Sequence, residues 1–157
     1  MIATSLLAIT LLVGVMFTPS NRLVVRSDGG QNIVCERISS GDRVTLTFTN
    51  SMFGGAVRET YLVNSDQLTQ VSFVTELEAA AEYYAWTLPV LQTNDGFQVL
   101  VEPESYSSIP VQVDPRSDYK LTIGNSTFDL SGEVEQPMSV VIELQISSLI
   151  STWISGC

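Results

Sequence analysis

Arg43-Val44-Thr45-Leu46-Thr47-Phe48-Thr49-Asn50 alternates polar and apolar side chains as far as Thr49. A period of two is the mark of a half-buried strand. Val44, Leu46, Phe48 and Asn50 fall on one face; Arg43, Thr45, Thr47 and Thr49 fall on the other. Ser39-Ser40-Gly41-Asp42 turns the chain into this strand, and Glu59 to Asn64 reads as the strand that returns. Pairing Phe48 with Tyr61 and Leu46 with Val63 keeps apolar partners together. That register sets Asn50 opposite Glu59, an amide beside a carboxylate above the loop Ser51-Met52-Phe53-Gly54-Gly55.

Working outward, strand and turn signals recur at short intervals. Arg22 to Ser27 and Gln31 to Ile38 flank the turn Asp28-Gly29-Gly30. Thr93-Asn94-Asp95-Gly96 separates Leu88 to Gln92 from Phe97 to Glu102, and Asp-Gly between apolar runs predicts a hairpin. Tyr119 to Leu130 predicts another, with Gly124-Asn125 as a type II′ turn that pairs Ile123 with Ser126 and Leu121 with Phe128. Met138 to Ile146 supplies a last strand, and Glu102 to Pro110 reads as a connecting loop. Glu76 to Trp86, with Ala79, Ala80 and Ala81, predicts either a short helix or a structured loop. Ile146, Leu149, Ile150, Trp153 and Ile154 have the spacing of an amphipathic helix. The expected fold is mostly β, an antiparallel sandwich or barrel-like domain. Its expected extent is residues 20–146, followed by an amphipathic tail over 147–157.

Ahead of that domain, Met1 to Thr18 carries no charged side chain. As a helix it spans ~27 Å, about the hydrocarbon core of a bilayer. It lacks the basic start and small-residue cleavage site of a secretory signal, so an uncleaved anchor is favoured over a signal segment. Arg22 and Arg26 follow it, a count that alone keeps the domain cytoplasmic. The scarcity of basic residues and the two cysteines weigh for the extracytoplasmic side, the expected location. Cys35 and Cys157 either form a disulfide or stand as unrelated thiols.

Composition narrows the chemistry. The 157-residue chain has 17 acidic and 7 basic residues, a net charge of −10 and no histidine. An acidic surface disfavours nucleic acid and anionic headgroups. Without histidine there is no Ser-His or Cys-His nucleophile system and no imidazole zinc site, and two cysteines alone cannot hold zinc. No cofactor, metal or catalytic residue is expected. The remaining acid–base option is a hydrolase built on paired carboxylates, Glu59 with Glu76, Glu78 or Glu82. An extracytoplasmic module binding a cation or glycan is a further alternative.

Asn50-Ser51-Met52 and Val57-Arg58-Glu59-Thr60-Tyr61 resemble the mark of a prokaryotic family catalogued as domain of unknown function 1850. That mark is a strand ending in His-Ser-Val, a short loop and a Val-x-Glu-x-aromatic strand. Thr75 to Tyr84 matches a later Gly/Ala-rich segment loosely, and strand order extends the resemblance over most of Arg22 to Glu143. Asn50 stands where the family has His, so no role that needs an imidazole carries over. The resemblance implies a small β-rich domain behind an N-terminal hydrophobic segment. It also implies a non-enzymatic accessory role beside fused permeases of TRAP transporters of the TAXI type. The permease or its solute-binding component would be the partner. The contact residues expected on this reading are Asn50, Ser51, Met52, Phe53, Gly54, Gly55, Glu59 and Tyr61.

Overall fold

The computed structural model describes residues 19–148 and Cys157. In chain order the elements are β1 (Pro19–Ser27), β2 (Asn32–Arg37), β3 (Arg43–Thr49), β4 (Ala56–Asn64), β5 (Gln67–Thr75), α1 (Glu78–Ala85), β6 (Val90–Thr93), β7 (Gly96–Val99), β8 (Ser105–Tyr106), β9 (Ser108–Val113), β10 (Lys120–Ile123), β11 (Ser126–Asp129) and β12 (Met138–Ser148). The described residues are mostly strand, as expected, and form two antiparallel sheets. A four-stranded sheet runs β2-β1-β12-β9; an eight-stranded sheet runs β11-β10-β3-β4-β5-β7-β6, with β8 joined to β5.

One apolar cluster belongs to both sheets. Leu23, Val25, Val140 and Ile142 come from the smaller sheet, and Val44, Leu46, Tyr61, Val63 and Leu121 from the larger. These are alternate positions along their strands, so the period of two read in β3 is what builds the core. The larger sheet continues past β9, the last strand of the smaller one. Under that overhang α1 takes the place of the missing strands. Ala81 and Ala85 pack on Val57, Phe73 and Val99 as a second cluster. The helix has eight residues, with Leu77 at its N-cap and no side-chain cap bond. Such a helix is held by its packing, not by its own propensity.

The Gly124-Asn125 hairpin has the expected register, Leu121 opposite Phe128 and Ile123 opposite Ser126. Gly124 has φ 56° and Asn125 has no positive φ, as a type II′ turn requires. Other expectations need correction. Within Glu102 to Pro110, read as loop, β8 and the start of β9 form, and Pro110 lies opposite Val141. Pro is tolerated because β9 is an edge strand, where one missing N–H breaks no ladder. The β3–β4 register also differs. Phe48 lies opposite Val57, Leu46 opposite Glu59 and Val44 opposite Tyr61. β12 extends to Ser148, and residues 149–156 of the expected amphipathic tail lie outside the described residues, as does the 1–18 segment.

Cys35 and Cys157 are joined, with Cα atoms 5.6 Å apart and a sequence separation of 122. Cys35 lies opposite Val24 in β1, so the bond fixes Cys157 to the smaller sheet. A cross-link that closes so long a loop restricts the unfolded chain strongly. Reduction, or Cys157→Ser, is expected to lower unfolding free energy by about 2–4 kcal/mol, measured by denaturant titration with and without reductant.

Candidate functional site

The corrected register starts at Asn50. Its Oδ1 accepts hydrogen bonds from the backbone N–H groups of Met52 and Phe53, each at 2.8 Å. Its backbone N–H donates to Gly55 O at 3.0 Å, and Gly54 N–H donates to Asn50 O at 2.9 Å. The side chain thus replaces backbone pairing in the turn, as Asn and Asp do in Asx turns. Gly54 and Gly55, with φ of 71° and 74°, return the chain through a region that side chains rarely enter. The loop is therefore four residues shorter than the register read from apolar pairing requires. Asn50 Nδ2 donates to Tyr84 Oη at 2.9 Å, tying the turn to α1. Asn50 is buried, and its bonds make it a clamp for the loop. Met52 is exposed, while Phe53 is half-buried against Tyr83, ring centroids 5.6 Å apart.

Glu59 does not meet Asn50 across the strands; it lies opposite Leu46 on β3 and Phe73 on β5. Val57 and Tyr61, two positions away on either side, belong to the second and first apolar clusters respectively. Glu59 therefore stands at the seam between them, on a face otherwise given to the core. Tyr61 Oη donates to its Oε2 at 2.7 Å. Burial pushes the Glu59 pKa up, and the Tyr61 hydrogen bond opposes this only in part. The same burial, with the neighbouring carboxylate, raises the Tyr61 phenol.

Glu59 opens onto a cleft of about 530 Å³, formed where the larger sheet overhangs β9. Tyr61, Gln70 and Phe73 line it from β4 and β5, Tyr84 from α1, Glu102, Glu104 and Tyr106 from the β7–β9 connection, and Ile109 and Pro110 from β9. Tyr106 Oη donates to Glu104 at 2.8 Å, and burial together with this carboxylate pushes its pKa up to about 12. Burial likewise raises Tyr84, with the Asn50 hydrogen bond opposing.

The carboxylate pairs expected from sequence do not form. Glu76 accepts the Ala56 backbone N–H at 2.9 Å and lines a separate hollow with Arg58 and Asp95. Glu78 and Glu82 are exposed on α1. The expected contact residues divide in two: Asn50 to Gly55 make the turn, while Glu59 and Tyr61 belong to the cleft. Tyr84, Tyr106, Glu102 and Glu104 were missed, since no local pattern marks them; they reach Glu59 only through the topology. Tyr84 belongs to both parts.

No family model, curated protein or solved structure matches this chain. Among the described residues no helix is long and apolar enough to cross a membrane, and no three His, Cys, Asp or Glu side chains converge as metal ligands.

Two substitutions separate the parts. Asn50→Ala leaves the Met52 and Phe53 amides and the Tyr84 hydroxyl without their partner and is expected to cost about 1–3 kcal/mol, measured by denaturant titration. Glu59 behaves oppositely. With its folded pKa raised, its contribution to stability is fully present below the ordinary value of 4.5 and lost as pH rises through the raised one. Glu59→Gln keeps an acceptor for Tyr61 and removes the buried charge. Its melting temperature should equal or exceed that of the parent at neutral pH, with the difference vanishing in acid.

Proposed function

We propose that the chain is a membrane-anchored, non-enzymatic accessory domain on the extracytoplasmic side, working with the solute-binding component of a TRAP-type transporter. The 1–18 segment, the absence of histidine and the resemblance carried by Asn50-Ser51-Met52 and Val57 to Tyr61 support the reading. The acid–base alternative loses its expected carboxylate pairs, because Glu76 is engaged with Ala56 away from Glu59.

The observation that carries the choice of partner is the polarity of the domain from end to end. Asn21, near the start of β1, donates through Nδ2 to Ser65 O in the β4–β5 turn at 3.0 Å. The chain thus comes from residues 1–18 at the Ser65 end of β4. The Asn50–Gly55 turn is at the other end of the nine-residue β4, roughly 30 Å away. With residues 1–18 in a bilayer, that turn faces away from it. Apolar side chains are left in solvent there, Met52 67% and Tyr83 58% exposed with Leu77 beside Gly55, while at the other end Ile146, opposite Asn21, is 71% exposed. The grouped side chains at the turn fit protein contact, a singly exposed residue such as Ile146 requires none, and a contact remote from the bilayer fits the soluble component better than the permease.

Trp86, at the C-cap of α1, adds a second sign. It is 90% exposed and has φ 53°, a strained conformation for a bulky residue. Nothing in its own exposure compensates that strain.

The test is capture of the solute-binding component by the full chain. Met52→Asp and Trp86→Gly should each reduce capture about tenfold or more without lowering the melting temperature; Trp86→Gly should raise it by relieving the backbone. Deleting residues 1–18 should release the domain from membranes. Unchanged capture with both substitutions, or a truncated chain that still sediments with membranes, would contradict the assignment.

A further inference from the structure

The cleft has a lining of one-sided polarity. Among the described residues three carboxylates, Glu59, Glu102 and Glu104, reach it, and no Lys, Arg or His does. Two of its phenols have committed their protons to carboxylates, Tyr61 to Glu59 and Tyr106 to Glu104. What those phenol oxygens still present are lone pairs. The polar part of the cleft is therefore a set of acceptors in need of donors. The remainder is hydrocarbon and aromatic ring: Phe73, Leu88, Val99, Val101 and Ile109.

Glu59 is the group this lining leaves least provided for. Among the described residues, the titratable side chains that act on it are Tyr61 from β4, Tyr84 from α1, Tyr106 from β8 and Tyr119 ahead of β10, while Glu102 and Glu104 share the cleft. None is cationic, and its strand neighbours Leu46 and Phe73 are apolar. A half-buried carboxylate with one neutral hydrogen bond and no counter-charge is a costly arrangement that a cation relieves. The volume, about 530 Å³, is that of a small-molecule site and far exceeds a bare ion. No three metal-ligating side chains converge among the described residues.

We propose that this cleft binds a small organic cation, a primary ammonium group carried on a short apolar chain. The ammonium sits at Glu59, donating to its carboxylate and to the Tyr61 and Tyr106 oxygens, and the chain lies along Phe73, Leu88 and Val99. Three N–H donors match the acceptor set, whereas a carboxylate ligand would meet like charge and find no donor of positive charge. Binding ionises Glu59, so a proton leaves as the cation enters wherever the empty cleft holds one. The inference stands on the lining alone and does not depend on the transporter partner.

Calorimetric titration of the full chain in detergent with 1-pentylammonium chloride, at about pH 7, tests it. One-to-one saturable binding is expected, with sodium pentanoate, the same chain bearing the opposite charge, giving none. Glu59→Gln should weaken binding at least about tenfold, while Glu78→Gln, on the exposed side of α1, should leave it unchanged. Leu88→Lys, which brings its own ammonium to the cleft, should abolish binding and serves if Glu59→Gln does not fold. In acid, buffers of different ionisation heat should register proton release. Equal binding of pentanoate, parent affinity in both cleft variants, or no saturation by about 10 mM would overturn the proposal.

Discussion

Asn50 sets the register of the β3–β4 hairpin, and that register places the inward-facing carboxylate of Glu59 opposite Leu46, between the two apolar clusters. The Asn50 side-chain oxygen holds two successive amides, and the glycines that follow let the chain come back in four residues rather than eight. Side chains alternate, so every position of β4 is fixed once the turn is fixed. Val57, Tyr61 and Val63 then face the core, and so does Glu59 between the first two. The β4–β5 ladder shifts register between Thr60 and Tyr61. This bulge lies beside Glu59, and bulges let a strand re-aim side chains at such places.

The energetics follow from where Glu59 stands. A Val or Leu in its place would join the two apolar clusters into one and gain roughly 1.5–3 kcal/mol of burial. A carboxylate at the seam loses that and adds desolvation, against which a single hydrogen bond from Tyr61 offsets about 1–3 kcal/mol. The upward pKa displacement says which effect wins: desolvation does. The chain therefore keeps at this position a group that makes its fold less stable at neutral pH. Groups kept at such cost are characteristic of binding and catalytic sites, where stability is traded for function.

What the sequence disclosed depended on how local the deciding interaction was. The Gly124-Asn125 hairpin was legible because a glycine turn and the flanking alternation specify it together. In β3 the alternation was equally legible, and its buried face is the one read. Its partner register was not, because apolar pairing allows more than one alignment, and a side-chain-to-backbone turn at Asn50 chose the shorter loop. β9 was hidden by Pro110, which reads as a breaker unless the strand is known to be an edge. Glu59 was legible as a candidate, yet its surroundings were not. Tyr84 reaches it from a helix and Tyr106 from a two-residue strand, and neither contact leaves a periodic trace.

The Asn50–Gly55 turn and the cleft differ in chemistry, one apolar and exposed, the other acidic and partly enclosed, and Tyr84 touches both. Tyr84 packs on Phe73 inside, ring centroids 4.7 Å apart, and its hydroxyl accepts from Asn50 Nδ2. A ligand that displaces Tyr84 breaks that hydrogen bond and leaves the Asn50 amide to find another partner. The size of the link bounds what it can transmit. A neutral hydrogen bond contributes about 1 kcal/mol net, so through this contact alone an occupied cleft alters affinity at the turn by a factor of about five. Reciprocity requires the same factor in the other direction. The arrangement thus suits adjustment of the association proposed at the turn, and it is too weak to act as a switch between bound and free states.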